Sequence, residues 1–252
     1  MNIANNWKDY EILDMANGEK LERWGNVILV RPDPQIVWKD KSFPNKWKNV
    51  NARYKRSKTG GGNWEYNSNI PKAWQIKYKN LTFNIKPMGF KHTGLFPEQA
   101  FNWDWMMEKI KKEKREIKVL NLFAYTGGAS VACLSAGASV CHVDSSKGMV
   151  AWAKENVNSS KLSDKPIRYI VFKFVNREIR RGNVYDAIIM DPPSYGRGAK
   201  GEVWHFEENI EELVKLCTKV LSNNPLFFLI NSYTTGISST VLANILNFNI
   251  EK

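Results

Sequence analysis

Cysteine and histidine are scarce in this chain, with three of each among 252 residues. Cys133, Cys141 and Cys217 are too few and too scattered for a disulfide framework or a zinc ribbon, and His92, His142 and His205 form no ligand spacing. No metal is expected, and the free thiols point to a reducing compartment. Long apolar runs are missing as well: nothing approaches the roughly 18 consecutive apolar residues of a membrane helix. Met1–Tyr10 carries neither a basic n-region nor an apolar h-region. Membrane-spanning and secreted readings drop out, which leaves a cytoplasmic protein as the expectation. No internal repeat or low-complexity segment occurs, and no full GxGxxG fingerprint, which weakens a dinucleotide-binding reading.

Acidic residues are thin in the first third. From Met1 to Phe90 there are 16 basic and 8 acidic residues, so this stretch carries +8 of the total +12. Within it, Lys39, Lys41, Lys46, Lys48, Arg53, Lys55, Arg56 and Lys58 face Asp40 alone, interleaved with Trp38, Phe43, Trp47 and Tyr54. Cations for phosphates beside rings for unstacked bases are what binding of single-stranded nucleic acid requires. A solvated loop over a few buried aromatics has the same composition.

The pattern divides the chain. Residues 1–85 read as a small β-rich basic domain, with strands at Val27–Arg31, Trp74–Tyr78 and Leu81–Ile85, turns at Pro32-Asp-Pro34 and Lys79-Asn80, and a break at Gly60–Gly62. Residues 86–116 form a connecting segment with a helix predicted over Pro97–Lys114. In residues 117–252 strands and helices alternate. Strands are predicted at Val119–Phe123, Ser139–Val143, Ile167–Val171, Tyr185–Met190 and Leu226–Ile230. Helices are predicted at Gly128–Ala136, Lys147–Val157, Asn209–Leu221 and Ser239–Leu246. Continuous apolar strands between helices imply a doubly wound α/β sheet, parallel and covered on both faces. Ligands bind beyond the carboxyl ends of such strands.

Three strand ends carry candidate chemistry. Gly127 and Gly128 sit at a strand-to-helix turn, where glycine allows close backbone approach and a helix N-terminus offers free N–H groups. Asp144 ends the second strand, where a carboxylate can accept both hydroxyls of a ribose; alternatively Asp144 or Ser145 caps the following helix. After the fourth strand, Pro192 and Pro193 fix the chain so that Asp191 and Tyr195 face the crevice. A base taken out of its stack needs a ring to lie on and an acceptor for its amino group. The plainer alternative is a structural proline turn with a surface tyrosine.

The segments Leu120–Gly128, Val143–Ser146 and Ile188–Tyr195 resemble the class I S-adenosylmethionine-dependent methyltransferases. More narrowly, the chain resembles the bacterial 23S ribosomal RNA large-subunit methyltransferase family, whose members include cytosine-C5 and guanine-N7 enzymes. Thr93–Gln99 and Asn231–Gly236 share the likeness, which runs from Phe90 to Leu246. The resemblance implies that Asn121, Phe123, Tyr125, Thr126, Gly127 and Gly128 surround the methionine part of S-adenosylmethionine, with S-adenosylhomocysteine as product. It places Asp144 and Ser145 at the ribose, and Asp191, Pro192, Pro193 and Tyr195 at the acceptor. Lys46, Lys48, Lys55, Arg56, Lys91, Gln99 and Arg197 are the expected contacts to RNA.

Two features depart from that pattern. Relatives usually carry an acidic residue just after the third strand, near the adenine, whereas Arg168–Asn176 holds none; Asn176 or a backbone amide is left for that contact. Only six residues follow the last predicted helix, where class I domains normally add an antiparallel strand pair, so a sheet lacking that pair and exposing an edge strand is expected. The cysteines bear on the acceptor atom. Cytosine-C5 methylation needs a thiolate near the fourth or fifth strand end, and Ser194 and Asn231-Ser-Tyr233 stand there instead. The expected activity is methylation of a base nitrogen in ribosomal RNA. The alternatives are an inactive methyltransferase fold that binds RNA, and a methyltransferase with a non-RNA substrate.

Overall fold

The computed structural model describes residues 3–57, 61–171, 174–197, 201–234 and 236–250. Lys58 and Gly60 of the basic stretch and its glycine break, Phe172 and Lys173 beyond the third predicted strand, and Thr235 lie outside the described residues. The chain divides into two compact units, Met1–Phe101 with Asn158–Ser160, and Asn102–Val157 with Lys161–Lys252.

In the first unit, Tyr10–Ala16 (β1), Glu19–Trp24 (β2), Val27–Pro32 (β3), Ala52–Arg56 (β4) and Gly62–Tyr66 (β5) form one sheet in sequential order. Its pairs are antiparallel except β3 with β4. Asn17 and Gly18, both at positive φ, make the tight turn between β1 and β2 that an Asn-Gly pair favours. Trp74–Tyr78 (β6) and Leu81–Ile85 (β7) form a separate hairpin closed by Lys79-Asn80. Between β2 and β3 a fully buried carboxylate is matched: Arg31 donates from Nε and Nη2 to Glu22 at 2.6 and 2.8 Å, and the Tyr10 hydroxyl donates at 2.7 Å. Burial pushes the Glu22 carboxyl up, but Arg31 outweighs it and holds the group below the usual carboxylate range.

Ala100–Lys112 forms α1, preceded by a 3-10 turn at Pro97–Gln99, so the predicted helix starts in tighter form and stops two residues early. The second unit then runs Lys118–Leu122 (β8), Gly128–Ser135 (α2), Ser139–Asp144 (β9), Lys147–Ser159 (α3), Ile167–Val171 (β10), Val175–Arg181 (α4), Ala187–Met190 (β11), Tyr195–Arg197 (β12), Val203–His205 (β13), Phe206–Thr218 (α5), Phe227–Ile230 (β14) and Ser239–Asn249 (α6). The main sheet is ordered β10-β9-β8-β11-β14 and every pair in it is parallel. This is the doubly wound sheet that the alternating pattern predicts. Among the described residues no antiparallel strand joins it, so β10 and β14 are its edges. Three elements of this unit were not foreseen: the short helix α4 and the two strands, β12 and β13, of a hairpin. Phe206, Ile210, Val214 and Cys217 recur at helical spacing on α5 and pack in one core cluster with Leu120, Leu122, Ile188 and Met190 of β8 and β11.

Glu178 of α4, the first acid after the third strand, is fully buried. It accepts hydrogen bonds from Arg168, from the Tyr185 hydroxyl and from Asn183 Nδ2. Burial works against its charge, and those three donors prevail, so the carboxyl is held below its ordinary value. A carboxyl depressed in the folded state stabilises above its ordinary value, and that contribution is lost as pH falls through the folded value. Glu178→Ala should therefore cost about 3 kcal/mol in urea unfolding at neutral pH, since it strands Arg168 and Tyr185, and the difference from the parent should shrink in acid. A loss below about 0.5 kcal/mol would mean that the network contributes nothing net.

Candidate active site

The strand order reverses direction between β8 and β11, and the crevice of such a sheet opens beyond the carboxyl ends of those strands. The chain leaves β8 through a strained turn. Phe123 and Tyr125 are left-handed at φ 55° and 50°, followed by Gly127 at 83°. Non-glycine residues in that region each cost on the order of 1–3 kcal/mol and persist only where neighbours over-determine them. Here the neighbours are identifiable. The Ala124 amide donates to the Val143 carbonyl at 3.0 Å, and the Tyr125 amide to Asp144 Oδ2 at 2.8 Å. Asn156 of α3 donates to the buried Thr126 carbonyl at 2.8 Å. At Gly127 φ favours glycine, and a Cβ would lie 3.0 Å from Ala153 Cβ, a tight approach that adds to the strain of any side chain there. No side chain caps α2, which begins at Gly128.

Asp144 ends β9 with both oxygens oriented by backbone: Tyr125 donates to Oδ2 and Ser146 to Oδ1, each at 2.8 Å. A carboxylate oxygen accepts more than one bond, so capacity remains on both. Burial pushes this carboxyl up, while the two amides draw it back. The cap of α3 is Ser146, whose Oγ accepts from the Met149 amide at 3.3 Å. Neither Asp144 nor the exposed Ser145 serves as that cap, which corrects the capping alternative for this pair.

Asn121 does not face the crevice. It is 3% exposed and donates to Ser130 Oγ at 2.9 Å, which in turn lies 3.0 Å from His142 Nδ1. The Asn121 amide nitrogen is thus engaged with Ser130 of α2. Burial pushes the His142 imidazole down to about 4, so it is neutral at physiological pH.

At the end of β11, Met190 and Pro192 are buried, Asp191 is half-buried, and Pro193, Ser194 and Tyr195 are exposed. The turn is fastened through its acceptors. The Asn231 amide donates to the Met190 carbonyl at 2.9 Å, the Phe206 amide to the Ser194 carbonyl at 3.0 Å, and the Trp204 indole to the Pro193 carbonyl at 2.6 Å. Ser194 and Thr234 hydroxyls pair at 2.7 Å. Tyr195 is 49% exposed, its hydroxyl accepts from Arg197 Nε at 2.7 Å, and its ring meets His205 edge-on at 5.2 Å.

All three cysteines are buried, on α2, β9 and α5. Burial pushes the Cys133 and Cys217 thiols up to about 12 and raises Cys141 as well. No thiolate stands at these strand ends. Among the described residues no cluster of His, Cys, Asp or Glu could hold a metal, and no helix is long and apolar enough to cross a membrane.

The remaining sequence-predicted residues belong to the first unit. Lys46, Lys48, Lys55 and Arg56 are exposed, with Lys46 over the Phe43 ring at 4.4 Å and Lys55 paired to Glu65 at 2.8 Å. Gln99 ends the 3-10 turn. Lys91 Nζ donates to the Pro32 carbonyl at 3.3 Å, and burial together with nearby Arg56 lowers its pKa. The rings divide: Trp38 and Phe43 are exposed, whereas Trp47 and Tyr54 are buried and offer no stacking face, which corrects half of the expected platform. Asp14 was missed; its carboxylate accepts from the Phe43 amide and the Trp47 indole and so anchors the basic loop.

This geometry is that of a doubly wound α/β domain whose strand ends carry the glycine turn, the carboxylate and the proline turn. A family profile for S-adenosylmethionine-dependent methyltransferases matches residues 45–237. A SAM-dependent methyltransferase from Agrobacterium tumefaciens is 35% identical, with a TM-score of 0.91 over 97% of this chain and 79% of that one. SMU.776, crystallised with S-adenosylhomocysteine, is 20% identical with a TM-score of 0.79 over 98% of this chain and 67% of that one, and shares the fold. The ribosomal RNA large subunit methyltransferase K/L of Pseudoalteromonas atlantica is 31% identical over 164 residues, 64% of this chain and 23% of that protein. The chain thus spans less than a quarter of the length of the curated relatives it matches. It belongs to the S-adenosylmethionine-dependent methyltransferase family. The residues present fit that cofactor: a carboxylate with spare acceptor capacity for hydroxyls stands at the end of β9.

Gly127→Ala should destabilise the protein by about 1–3 kcal/mol in chemical denaturation, through the left-handed φ and the approach to Ala153 together. A variant as stable as the parent would show that the turn is not so constrained.

Proposed function

We propose that this chain methylates a base nitrogen of ribosomal RNA in the cytoplasm. The observation that carries the reading is the Asp191–Tyr195 turn, fastened from three sides at the end of β11, next to β8 in the sheet, with the tyrosine ring open to solvent. The Pseudoalteromonas relative, named for ribosomal RNA, supports the substrate class. So does the basic first unit, with Trp38 and Phe43 exposed among its lysines. The buried, high-pKa thiols speak against attack through C5 and for a nitrogen acceptor.

Methyl transfer from a sulfonium is an in-line displacement, so the acceptor must be held about 3–3.5 Å from the methyl and aligned with it. Bound S-adenosylmethionine supplies the activated methyl. Asp144 accepts from the ribose hydroxyls, and the Phe123–Gly128 turn surrounds the methionine part. Asn121 acts one step removed, by bracing α2 through Ser130. Asp191 accepts a hydrogen bond from the acceptor base, and Tyr195 stacks on it, backed by His205. Arg197 and Gln99, with Lys46, Lys48, Arg56 and Lys91, contact the RNA backbone.

Incubation with labelled S-adenosylmethionine and total RNA, followed by nucleoside analysis, should yield a nitrogen-methylated base; label in no nucleoside would sink the reading. Asp144→Ala should weaken S-adenosylhomocysteine binding by calorimetry about 10- to 100-fold. Asp191→Ala should abolish transfer while keeping that affinity, and unchanged methylation would remove Asp191 from the chemistry. Neutralising Lys46, Lys48 and Arg56 together should reduce the salt slope of RNA binding by about 2. An unaltered slope would return them to a solvated loop.

A further inference from the structure

We infer that Trp204 is a positioning residue that sets the acceptor turn against the cofactor turn; this rests on the acceptor role given above to Asp191–Tyr195. Two prolines leave that turn short of N–H donors, so it is held by what donates to its carbonyls. The Trp204 indole supplies the shortest of those bonds, 2.6 Å to Pro193. The same ring also neighbours the turn leaving β8. Its ring lies 6.3 Å from the Phe123 ring, tilted by 41°, and Phe123 is the first left-handed residue of the turn leaving β8. Trp204 itself is placed by the hairpin, opposite Gly196 in the register of β12 with β13, and by α5 starting two residues later. One half-buried indole thus meets both turns, by a hydrogen bond to one and by a ring pair with the other. A displacement of about 1 Å between reacting groups can cost about 100-fold in rate, so such a tie acts on alignment rather than on affinity.

The two contacts can be separated chemically. Trp204→Phe keeps a ring against Phe123 and removes the donor, whereas Trp204→Leu removes both. Trp204→Phe should bind S-adenosylhomocysteine within about two-fold of the parent and lower single-turnover methyl transfer to RNA at saturating cofactor about ten-fold. Amide exchange over Ser194–Arg197 should quicken about ten-fold, with the strands of the main sheet unchanged. Trp204→Leu should in addition weaken S-adenosylhomocysteine about five-fold, because Phe123 loses its support. Parental rate and parental exchange in Trp204→Phe would overturn the inference, as would a drop in cofactor affinity equal to that of Trp204→Leu. If the parent itself transfers no methyl to RNA, the substrate reading fails on its own, and the affinity and exchange measurements still decide the role of Trp204.

Discussion

The Tyr125 amide donating to Asp144 is the contact on which the second unit's site depends. It joins the end of β8 to the end of its neighbour β9, through an oxygen of the carboxylate proposed for the ribose. The turn leaving β8 would not keep two left-handed non-glycine residues unaided. With Asp144 on one side and Asn156 on the other, the strained path becomes the low-energy one. The same bond fixes the orientation of the carboxylate within the fold itself, which is the pre-ordering that a binding role would need.

Much of this was legible because strand ends in a doubly wound sheet carry distinctive residues. The glycine pair, the lone aspartate and the proline doublet could each be placed at a carboxyl end from hydrophobic patterning alone. What escaped was side-chain direction. Asn121 sits in the same motif as Tyr125, and nothing in the order of residues says that its amide turns under α2 to Ser130, since that depends on a partner nine positions away. Trp47 and Tyr54 read as free rings for a similar reason. Each lies amid lysines, yet Trp47 packs with Leu21 and Val30 and Tyr54 meets Trp64 edge-on, which local charge does not report. The β1–β2 hairpin was there to be read from Asn17-Gly18, but four charged residues among the six of β2 broke the alternation that would have shown its apolar face.

The first unit shows how a small sheet can carry a strongly basic surface. Asp14 accepts from the backbone and from Trp47, giving the lysine-rich loop a fixed point beneath it. Further along, the Glu22–Arg31 pair fills a place that hydrophobic residues could occupy at comparable stability. It gives specific partners instead, since Arg31 also donates to the Lys91 carbonyl and so fastens the segment that leads into Pro97–Gln99.

The sealed thiols have an implication for handling the molecule. Cysteine reacts as its thiolate and only where reagent can reach it, and all three sulfur atoms here are denied both conditions while the chain is folded. Alkylation therefore proceeds at the pace of opening rather than of encounter. Because Cys133, Cys141 and Cys217 occupy α2, β9 and α5, their rates of modification time the loosening of three separate elements of the second unit, with no label introduced.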